Sequence, residues 1–326
     1  MAGSGRRFIN QLMDQEAVDD IFLAQNKQLR PNRNGDLYLQ VDLCDRSGAI
    51  SALLWNADEA TYRSFEPGDF VQVRGTAQLY QGTMQVIANK VKRAHNPNIV
   101  EADFYRLGPQ AIDQLAMRFA EILRSMADTH LRNLAECFLM DEAFMRKLSR
   151  APAGIKLHHA YHGGLLEHIV NMMEVASAVA PFYPELNRDL LVMGCFLHDM
   201  GKVDELSYEK SFGYSDLGQL IGHLVIGVSQ LEEKIRESEK LSGDAFPEDL
   251  ALRLKHMIVS HHGSYEFGSP KLPMTLEALA LTYLDNLDAK LHTFAQLMHE
   301  DPGVEGSFTL FNQNLKRKLY KGRPTN

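Results

Sequence analysis

The chain has 326 residues, about twice the length of a typical domain, which favours two domains. Hydrophobic residues make up 45% and charged residues 23%, a balance that excludes disordered, collagen-like and low-complexity proteins. The net charge of −8 argues against a protein that binds nucleic acid through bulk charge alone. Residues 1–100 hold eleven basic and eleven acidic residues, so the acidic surplus lies in the rest of the chain.

The sequence predicts neither a membrane protein nor a secreted one. It contains no run of eighteen apolar residues, so we expect no transmembrane helix, and its N-terminus lacks the apolar core of a secretory signal. The cysteines Cys44, Cys137 and Cys195 are far apart and form no CxxC, which argues against a disulfide framework and a thiolate zinc site. We expect a cytoplasmic protein.

Residues 20–94 predict a small β-barrel. Apolar and more polar residues alternate along one segment, which is the period of a half-buried strand. The apolar positions are Leu37, Leu39, Val41 and Leu43. Glycine- and proline-containing turns separate five such strands, with one short helix expected in ADEATYRSF. Trp55 continues the apolar pattern of its strand, so we expect it in the core, with a role in stacking bases as the alternative.

From Asp103 onward the apolar residues take the three- and four-residue spacing of amphipathic helices. We therefore predict a multi-domain chain: a barrel at 1–102, a helical linker at 103–152 and an all-α domain at 153–326. The last domain ends in a basic tail, for which a solvated terminus is the alternative explanation. The basic residues of the tail are Lys316, Arg317, Lys318, Lys321 and Arg323.

The strongest local motif is His198-Asp199 in CFLHDMGK. Its apolar lead-in predicts a helix that buries its body and presents both side chains at its end, with Gly201 closing it. Because His-Asp dipeptides also occur by chance, the motif alone does not identify a site. Histidine is nevertheless concentrated in this part of the chain, where eleven of the thirteen lie between His158 and His299. Imidazole is the commonest metal ligand in proteins.

Further polar residues lie within apolar helical segments on either side of this motif. They are His168 in GGLLEHIV, His223 within LIGHLVIG, His261-His262 at the end of MIVSHHG, and Asp285 and Asp288 in YLDNLDAK. Burying so many polar groups unpaired would cost about 1–3 kcal/mol each, whereas a shared metal centre satisfies them together. Nitrogen and carboxylate ligands without thiolate suit Mn²⁺, Fe²⁺ or Zn²⁺.

The order of these residues along the helices resembles that of the HD-domain metal-dependent phosphohydrolases, over about residues 155–295. The resemblance implies a metal centre, binuclear in some members, whose ligands are His168, His198, Asp199, Asp285, His223, His261 and His262. It also implies that Lys202 faces the substrate phosphate and acts in catalysis with Asp199. The stretch after the His-His pair reads GSYEFGSP and lacks Gly-Tyr-Pro, which disfavours the cyclic-dinucleotide subclass.

Several neighbouring residues remain open at this point. Asp288 is the alternative to Asp285 as the last ligand. Three flanking histidines, His158, His159 and His162, are further candidates, although each is more simply explained as a structural residue. His256 lies one turn before His261 and is expected at the surface.

The expected chemistry is hydrolysis of a phosphodiester or phosphomonoester. A divalent cation lowers the pKa of water that it binds and neutralises charge on a phosphoryl oxygen. Two cations about 3.5–4 Å apart can stabilise the attacking and departing oxygens together.

The barrel resembles the nucleic-acid-binding OB-fold, through the runs NGDLYLQVDLCDRSGAISALLWN and GDFVQVRGTAQLYQGTMQVIANKVKRA. Such barrels bind single strands by stacking bases on aromatic rings and by contacting phosphates with basic side chains. The candidates for this role are Tyr38, Tyr80, Arg74 and Lys92. OB-folds also serve as protein–protein modules, and this alternative stays open.

An OB-fold followed by an HD domain is the architecture of the YhaM-type 3′-to-5′ exoribonucleases. The chain resembles that family throughout, including HHAYHGGLLEH, in which His162 stands where an apolar residue is expected. The resemblance implies manganese-dependent degradation of single-stranded RNA, with single-stranded DNA as a further substrate. The alternatives are an HD-type nucleotidase or dNTP phosphohydrolase, and a non-catalytic RNA-binding protein. The sequence leaves homo-oligomer formation open.

Overall fold

The computed structural model describes residues 6–80, 82–94, 99–155, 159–209, 212–299, 301 and 306–322. The chain divides into two compact units. One comprises Met1–Leu107, Glu209–Phe212 and Phe294–Asn326, and the other Gly108–Tyr208 and Gly213–Thr293. We call them the barrel unit and the helical unit. No helix in the described residues is long and apolar enough to span a bilayer.

The barrel unit contains the five predicted strands, which close in the order β1-β2-β3-β5-β4. Only β3 and β5 pair in parallel, and the other neighbours are antiparallel. The strands are β1 (Ala17–Pro31), β2 (Leu37–Asp45), β3 (Gly48–Trp55), β4 (Phe70–Tyr80) and β5 (Thr83–Arg93). The expected short helix is α1 (Glu59–Arg63), whose N-terminus is capped by the carboxylate of Asp58 accepting from Thr61 N. This confirms the predicted OB-type barrel.

The interior of the barrel follows the predicted period of two. Leu39, Val41 and Leu43 of β2 are buried, and they pack with Phe22 of β1 and Val73 of β4 in one apolar core. Alternate residues of each strand face out, because successive side chains of a strand point to opposite faces. The sequence therefore predicted the inner face of β2 correctly.

The assignment of Trp55 to this core is wrong. Its side chain is 47% exposed, and its ring centroid lies 5.1 Å from that of Tyr38. In β3 the buried residues are Ile50 and Ala52, which share a face that Trp55 does not. Trp55 pairs in register with Tyr38, so both side chains project from the same outer face of the barrel.

The C-terminal segment of the barrel unit is ordered by two isolated bridges, Phe308↔Tyr320 and Asn312↔Arg317. Of the basic tail residues, Lys321 forms an ion pair with Asp301. Arg323 lies outside the described residues.

Among the described residues, the helical unit contains nine whole α-helices and the larger part of a tenth, whose residues from Phe294 onward belong to the barrel unit. It also has one two-stranded sheet of β6 (Leu206–Ser207) and β7 (Gly213–Tyr214). The helices are α2 (Pro109–Arg124), α3 (Thr129–Leu139), α4 (Glu142–Leu148), α5 (Gly164–Val179), α6 (Arg188–Leu197), α7 (Lys202–Glu205), α8 (Asp216–Ile221), α9 (His223–Ser242), α10 (Glu248–Ser260) and α11 (Leu276–His299). This confirms the all-α fold expected for the second part of the chain.

The core of this unit surrounds α6. Phe196 of α6 makes edge-to-face contacts with Phe119 of α2 and Phe138 of α3, at centroid distances of 4.9 and 5.0 Å. At the other end of α6, buried Asp189 accepts hydrogen bonds from the backbone N–H groups of Ala127 and Asp128. Because every residue of α6 after Arg188 is buried, the chain that follows it is held firmly in place.

Two helix boundaries lie at glycines where the apolar spacing of the sequence did not predict them. Gly222 has φ of +78°, a conformation that favours glycine, and it separates α8 from α9. His223 is therefore the first residue of a helix rather than a residue within one. Gly201 does not end α6 in a left-handed conformation, because its φ is −61°. It is instead the residue that immediately precedes α7. A glycine is needed there because a Cβ would lie 2.2 Å from the carbonyl oxygen of His223.

Candidate metal centre and strand-binding face

The structure brings all of the predicted metal ligands together within the helical unit. His168 lies on α5, and Asp285 lies on α11. His198-Asp199 follows α6, His261-His262 follows α10, and His223 begins α9. Four overlapping groups among the described residues have ligand atoms within 4.8 Å of one another. Three consist of predicted ligands, and their members are His168, His198 and Asp285; His198, Asp199 and His261; and His223, His261 and His262. The fourth joins His168 to His159 and Asp288.

Asp199 stands between two sets of ligand atoms. Its Oδ2 lies 3.4 Å from His198 Nε2 and 3.9 Å from His168 Nε2. Its Oδ1 lies 3.6 Å from both His223 Nε2 and His261 Nε2. The two oxygens of one buried carboxylate thus face different pairs of imidazoles.

Each of the four histidines around Asp199 is oriented through its Nδ1 atom. His198 donates to the carbonyl oxygen of Cys195 at 2.9 Å and His261 to that of Ile258 at 2.8 Å. Carboxylates accept from the other two, with distances of 3.0 Å from Glu205 Oε1 to His223 and 2.7 Å from Asp288 Oδ2 to His168. When the proton is held on Nδ1 and a cation replaces any proton on Nε2, every Nε2 can give its lone pair to that cation, as a metal-ligating histidine requires.

Several buried polar atoms of this cluster have no partner of their own. Asp199 Oδ1, His223 Nε2 and His262 Nδ1 make no hydrogen bond to any other described residue. Leaving such atoms unsatisfied costs about 1–3 kcal/mol each. The residues therefore fit a cation that would accept their lone pairs.

Asp285 and Asp288 occupy opposite edges of the His168 ring. Asp285 Oδ1 lies 3.5 Å from Nε2, on the side of the cluster, whereas Asp288 bonds to Nδ1 on the far side. Burial alone would lower the pKa of His168, but its hydrogen bonds with Asp285 and Asp288 raise that pKa to about 9. This arrangement favours Asp285 as the ligand and Asp288 as the residue that orients His168.

Lys202 lies at the edge of the cluster and contacts Asp199. Its Nζ donates to Asp199 Oδ2 at 2.6 Å and to the carbonyl oxygen of Ala153 at 2.8 Å. Burial would lower the pKa of Lys202, but the neighbouring Asp199 carboxylate raises it above its usual value. The side chain is therefore a fixed positive charge beside the cluster.

The flanking histidines take different positions. His159 is buried, with Nε2 3.1 Å from Asp288 Oδ2 and its ring stacked on that of His292 at 3.8 Å. His162 Nδ1 lies 3.1 Å from the carbonyl oxygen of Arg150, and His256 Nε2 accepts from Met274 N. His158 lies outside the described residues.

The sequence pattern did not reveal two of the carboxylates that orient buried histidines at this site. Glu205 orients His223, and Glu167 together with Tyr161 contacts Nδ1 of His159. Glu167 precedes His168 directly in GGLLEHIV, so an acidic residue within an apolar helical segment was an available signal. Glu205 had no such signal, because its contact with His223 depends on how α7 packs on α9.

The predicted strand-binding residues are distributed over the outside of the barrel. Tyr38 is half-buried, while Tyr80, Arg74 and Lys92 are exposed. Arg74 forms an ion pair with Asp19 at 3.0 Å, which offsets part of its charge. Tyr38 lies beside Trp55, whose exposed ring adds a second aromatic surface to this face.

Comparison with known proteins agrees with both halves of this description. Residues 165–290 match the HD domain family, and residues 24–94 match the family described as OB-fold nucleic acid binding domain. Proteins named 3′-5′ exoribonuclease YhaM are similar over 94% of the chain. Those of Geobacillus sp. strain WCH70, Bacillus velezensis and Bacillus subtilis are 34%, 36% and 33% identical, over 93%, 96% and 96% of their own lengths. The chain belongs to the YhaM family.

Membership of the YhaM family agrees with the order of domains predicted from the sequence. The HD match contains every ligand candidate from His168 to Asp285, and the OB match contains Tyr38 and Trp55. The candidate metal ligands and the candidate strand-binding aromatic residues thus lie in the two regions that match known families.

Proposed function

We propose that the protein is a metal-dependent 3′-5′ exoribonuclease that hydrolyses the phosphodiester bonds of single-stranded RNA. The observation that carries this proposal is the convergence of four imidazole Nε2 atoms on the two oxygens of Asp199, in a chain that also holds a nucleic-acid-binding barrel. The names of the YhaM relatives support the same activity.

The donor set supports a divalent cation as cofactor. Imidazole and carboxylate ligands without thiolate suit Mn²⁺, with Fe²⁺ and Zn²⁺ as alternatives. We assign His168, His198, Asp199 and Asp285 to one ion, and His223, His261 and His262 with Asp199 to a second. The separate sets of atoms that face Oδ1 and Oδ2 of Asp199 support a binuclear centre.

In the proposed reaction a water oxygen bonds to phosphorus, the bond to O3′ of the preceding nucleotide breaks, and O3′ takes the proton. The products are a nucleoside 5′-monophosphate and a strand with a new 3′ hydroxyl. The cations supply Lewis-acid activation of water and neutralisation of the phosphate when they are bound. Asp199 positions them, and the ammonium of Lys202 holds a phosphoryl oxygen as a point charge.

The barrel has the role of capturing the strand. Tyr38 and Trp55 offer stacking surfaces, and Arg74 and Lys92 lie on the neighbouring strands β4 and β5, so the outer face of the barrel carries both aromatic and basic groups. We propose binding of single-stranded RNA, and of single-stranded DNA, at this face. The predicted division is a strand-binding part at 1–102, a helical linker at 103–152 and a hydrolytic part at 153–326. In the structure the linker helices from Gly108 onward pack within the helical unit, and the residues from Phe294 onward group with the barrel unit. The widely spaced cysteines support a reducing cytoplasm as the compartment.

The test uses purified full-length protein, Mn²⁺ and a single-stranded RNA labelled at its 5′ end. A ladder of progressively shorter labelled products is expected, and a circular RNA of the same sequence should stay intact because it has no 3′ end. Asp199→Ala serves as the inactive control. Hydrolysis of mononucleotides alone would identify a nucleotidase, and binding without cleavage would identify a non-catalytic RNA-binding protein.

A further inference from the structure

A cavity of about 440 Å³ opens beside the metal centre, entirely within the helical unit. Asp199, Lys202 and Asp285 line its buried end. Phe267 and Tyr283 also line it, and their side chains are 73% and 67% exposed. The volume lies near the lower end of the range of ~300–1,000 Å³ for small-molecule pockets, so it suits one nucleotide rather than a length of strand.

One polar atom in the cavity wall, apart from the candidate metal ligands, has no hydrogen-bond partner among the described residues. Ser264 Oγ is buried and makes no hydrogen bond within the described part of the chain. Buried polar atoms are normally hydrogen-bonded, because an unsatisfied one costs free energy. A ligand that carries hydroxyl groups, such as a ribose, would satisfy it.

The two aromatic residues are attached to the same segments as the metal ligands. Phe267 lies in a short 3-10 turn, Tyr265–Phe267, that closely follows His262. Tyr283 lies on α11, two residues before Asp285. A flat aromatic ligand held against these rings would therefore be held at a defined distance from the ions that act on its phosphate. Nucleobases stack on such rings without regard to sequence, since every base has a π-face.

We propose that this cavity binds the 3′-terminal nucleotide, with its base against Phe267 and Tyr283 and its phosphate directed toward Lys202. The proposal rests on the proposed function and adds that the terminal base is recognised as well as the scissile phosphate. It assigns base binding to the helical unit itself, in addition to the barrel. A cavity for one nucleotide also accounts for removal of one nucleotide in each cycle.

The test compares two RNA oligonucleotides with full-length protein and Mn²⁺. One carries an ordinary 3′-terminal nucleotide, and the other carries a terminal ribose without a base. The wild type should release the first residue of the ordinary strand with kcat/KM about 5- to 150-fold higher, the range that one stacked base provides. Phe267→Ala and Tyr283→Ala should reduce that ratio toward one, while their rates on the abasic strand stay near that of the wild type. Phe182→Ala is the matched control, because Phe182 is 79% exposed in the same unit and does not line the cavity.

Direct binding provides a second measurement that does not depend on turnover. Titration calorimetry with a nucleoside 5′-monophosphate and with ribose 5-phosphate should show a preference for the nucleotide in the wild type and in Phe182→Ala. That preference should be lost in Tyr283→Leu, which keeps apolar bulk without a ring. The proposal would be overturned if the wild type showed the same kcat/KM on the ordinary and the abasic strand. It would also be overturned if both aromatic variants kept the wild-type preference for the ordinary strand. A wild type that degrades neither strand would instead refute the exoribonuclease activity.

Discussion

Asp288 Oδ2 accepts a hydrogen bond from His168 Nδ1 at 2.7 Å, while Asp285, one turn earlier on α11, approaches Nε2 of the same ring. One helix thus supplies both a candidate ligand and the group that orients another ligand. Asp288 also contacts His159 Nε2, so a half-buried carboxylate links the buried rings of His168 and His159. The two aspartates should respond differently to the same substitution.

We expect Asp285→Asn to lose bound metal and activity together, because it removes a carboxylate that faces the ions. Asp288→Asn should retain activity when metal is in excess, but with metal affinity about 10- to 100-fold weaker, since it changes only the support of His168. Metal titration followed by calorimetry measures the affinities. Equal metal affinity in Asp285→Asn and the wild type would contradict the assignment of Asp285 as a ligand.

Lys202→Ala should keep its metal and lose turnover. The ammonium cannot ligate a cation, and its expected contact is with the substrate phosphate, so kcat should fall about 100-fold or more. Metal content by mass spectrometry and kcat are measured on the same preparation, with Lys202→Arg as the charge-conserving comparison. A loss of metal that parallels the loss of activity would show that Lys202 only supports Asp199.

Trp55→Ala should weaken capture of long RNA without changing the chemical step. Loss of one stacked base corresponds to a rise in KM of about 5- to 150-fold at constant kcat. Leu79→Ala is a suitable control, because Leu79 is also an exposed apolar residue of the barrel. Binding by the wild type should also weaken as salt increases, through lost counterion release. An unchanged KM in Trp55→Ala would favour the barrel as a protein–protein module.

Removal of metal should destabilise the protein. A ligand present at 100 times its Kd adds about 2.7 kcal/mol to the free energy of unfolding, and the buried lone pairs around Asp199 become unsatisfied without it. Thermal unfolding after chelation, and again after addition of Mn²⁺, should show a reversible shift in Tm. Asp199→Ala should show helical circular dichroism like that of the wild type and little response to Mn²⁺. A response of normal size in that variant would place the metal elsewhere.

The sequence indicates the candidate ligands because polar residues on apolar helices are conspicuous. His168, His198 and His261 could be found in this way without knowledge of how the helices pack. Glu205 could not, because its contact with His223 joins residues from two helices that meet only in the folded chain. Their proximity depends on tertiary structure, which the spacing of apolar residues along the sequence does not predict.

The error at Trp55 has a similar cause. Leu53, Leu54 and Trp55 are three consecutive apolar residues, so the alternation that identifies the inner face is lost at the end of β3. The phase is set by pairing with β2, where Tyr38 stands opposite Trp55. Strand register therefore determines the orientation of Trp55, which the local pattern could not, and places its ring beside that of Tyr38 on the outer face.

The close approach of Gly201 to the His223 carbonyl oxygen makes one position a determinant of the ligand set. Any side chain at 201 would push the start of α9 away from α7, and with it the imidazole that faces Asp199 Oδ1. Random mutagenesis of residue 201 under selection for nuclease activity should accordingly recover glycine alone. Gly201, which has no side chain, would then tolerate substitution no better than the histidines whose positions it helps to fix.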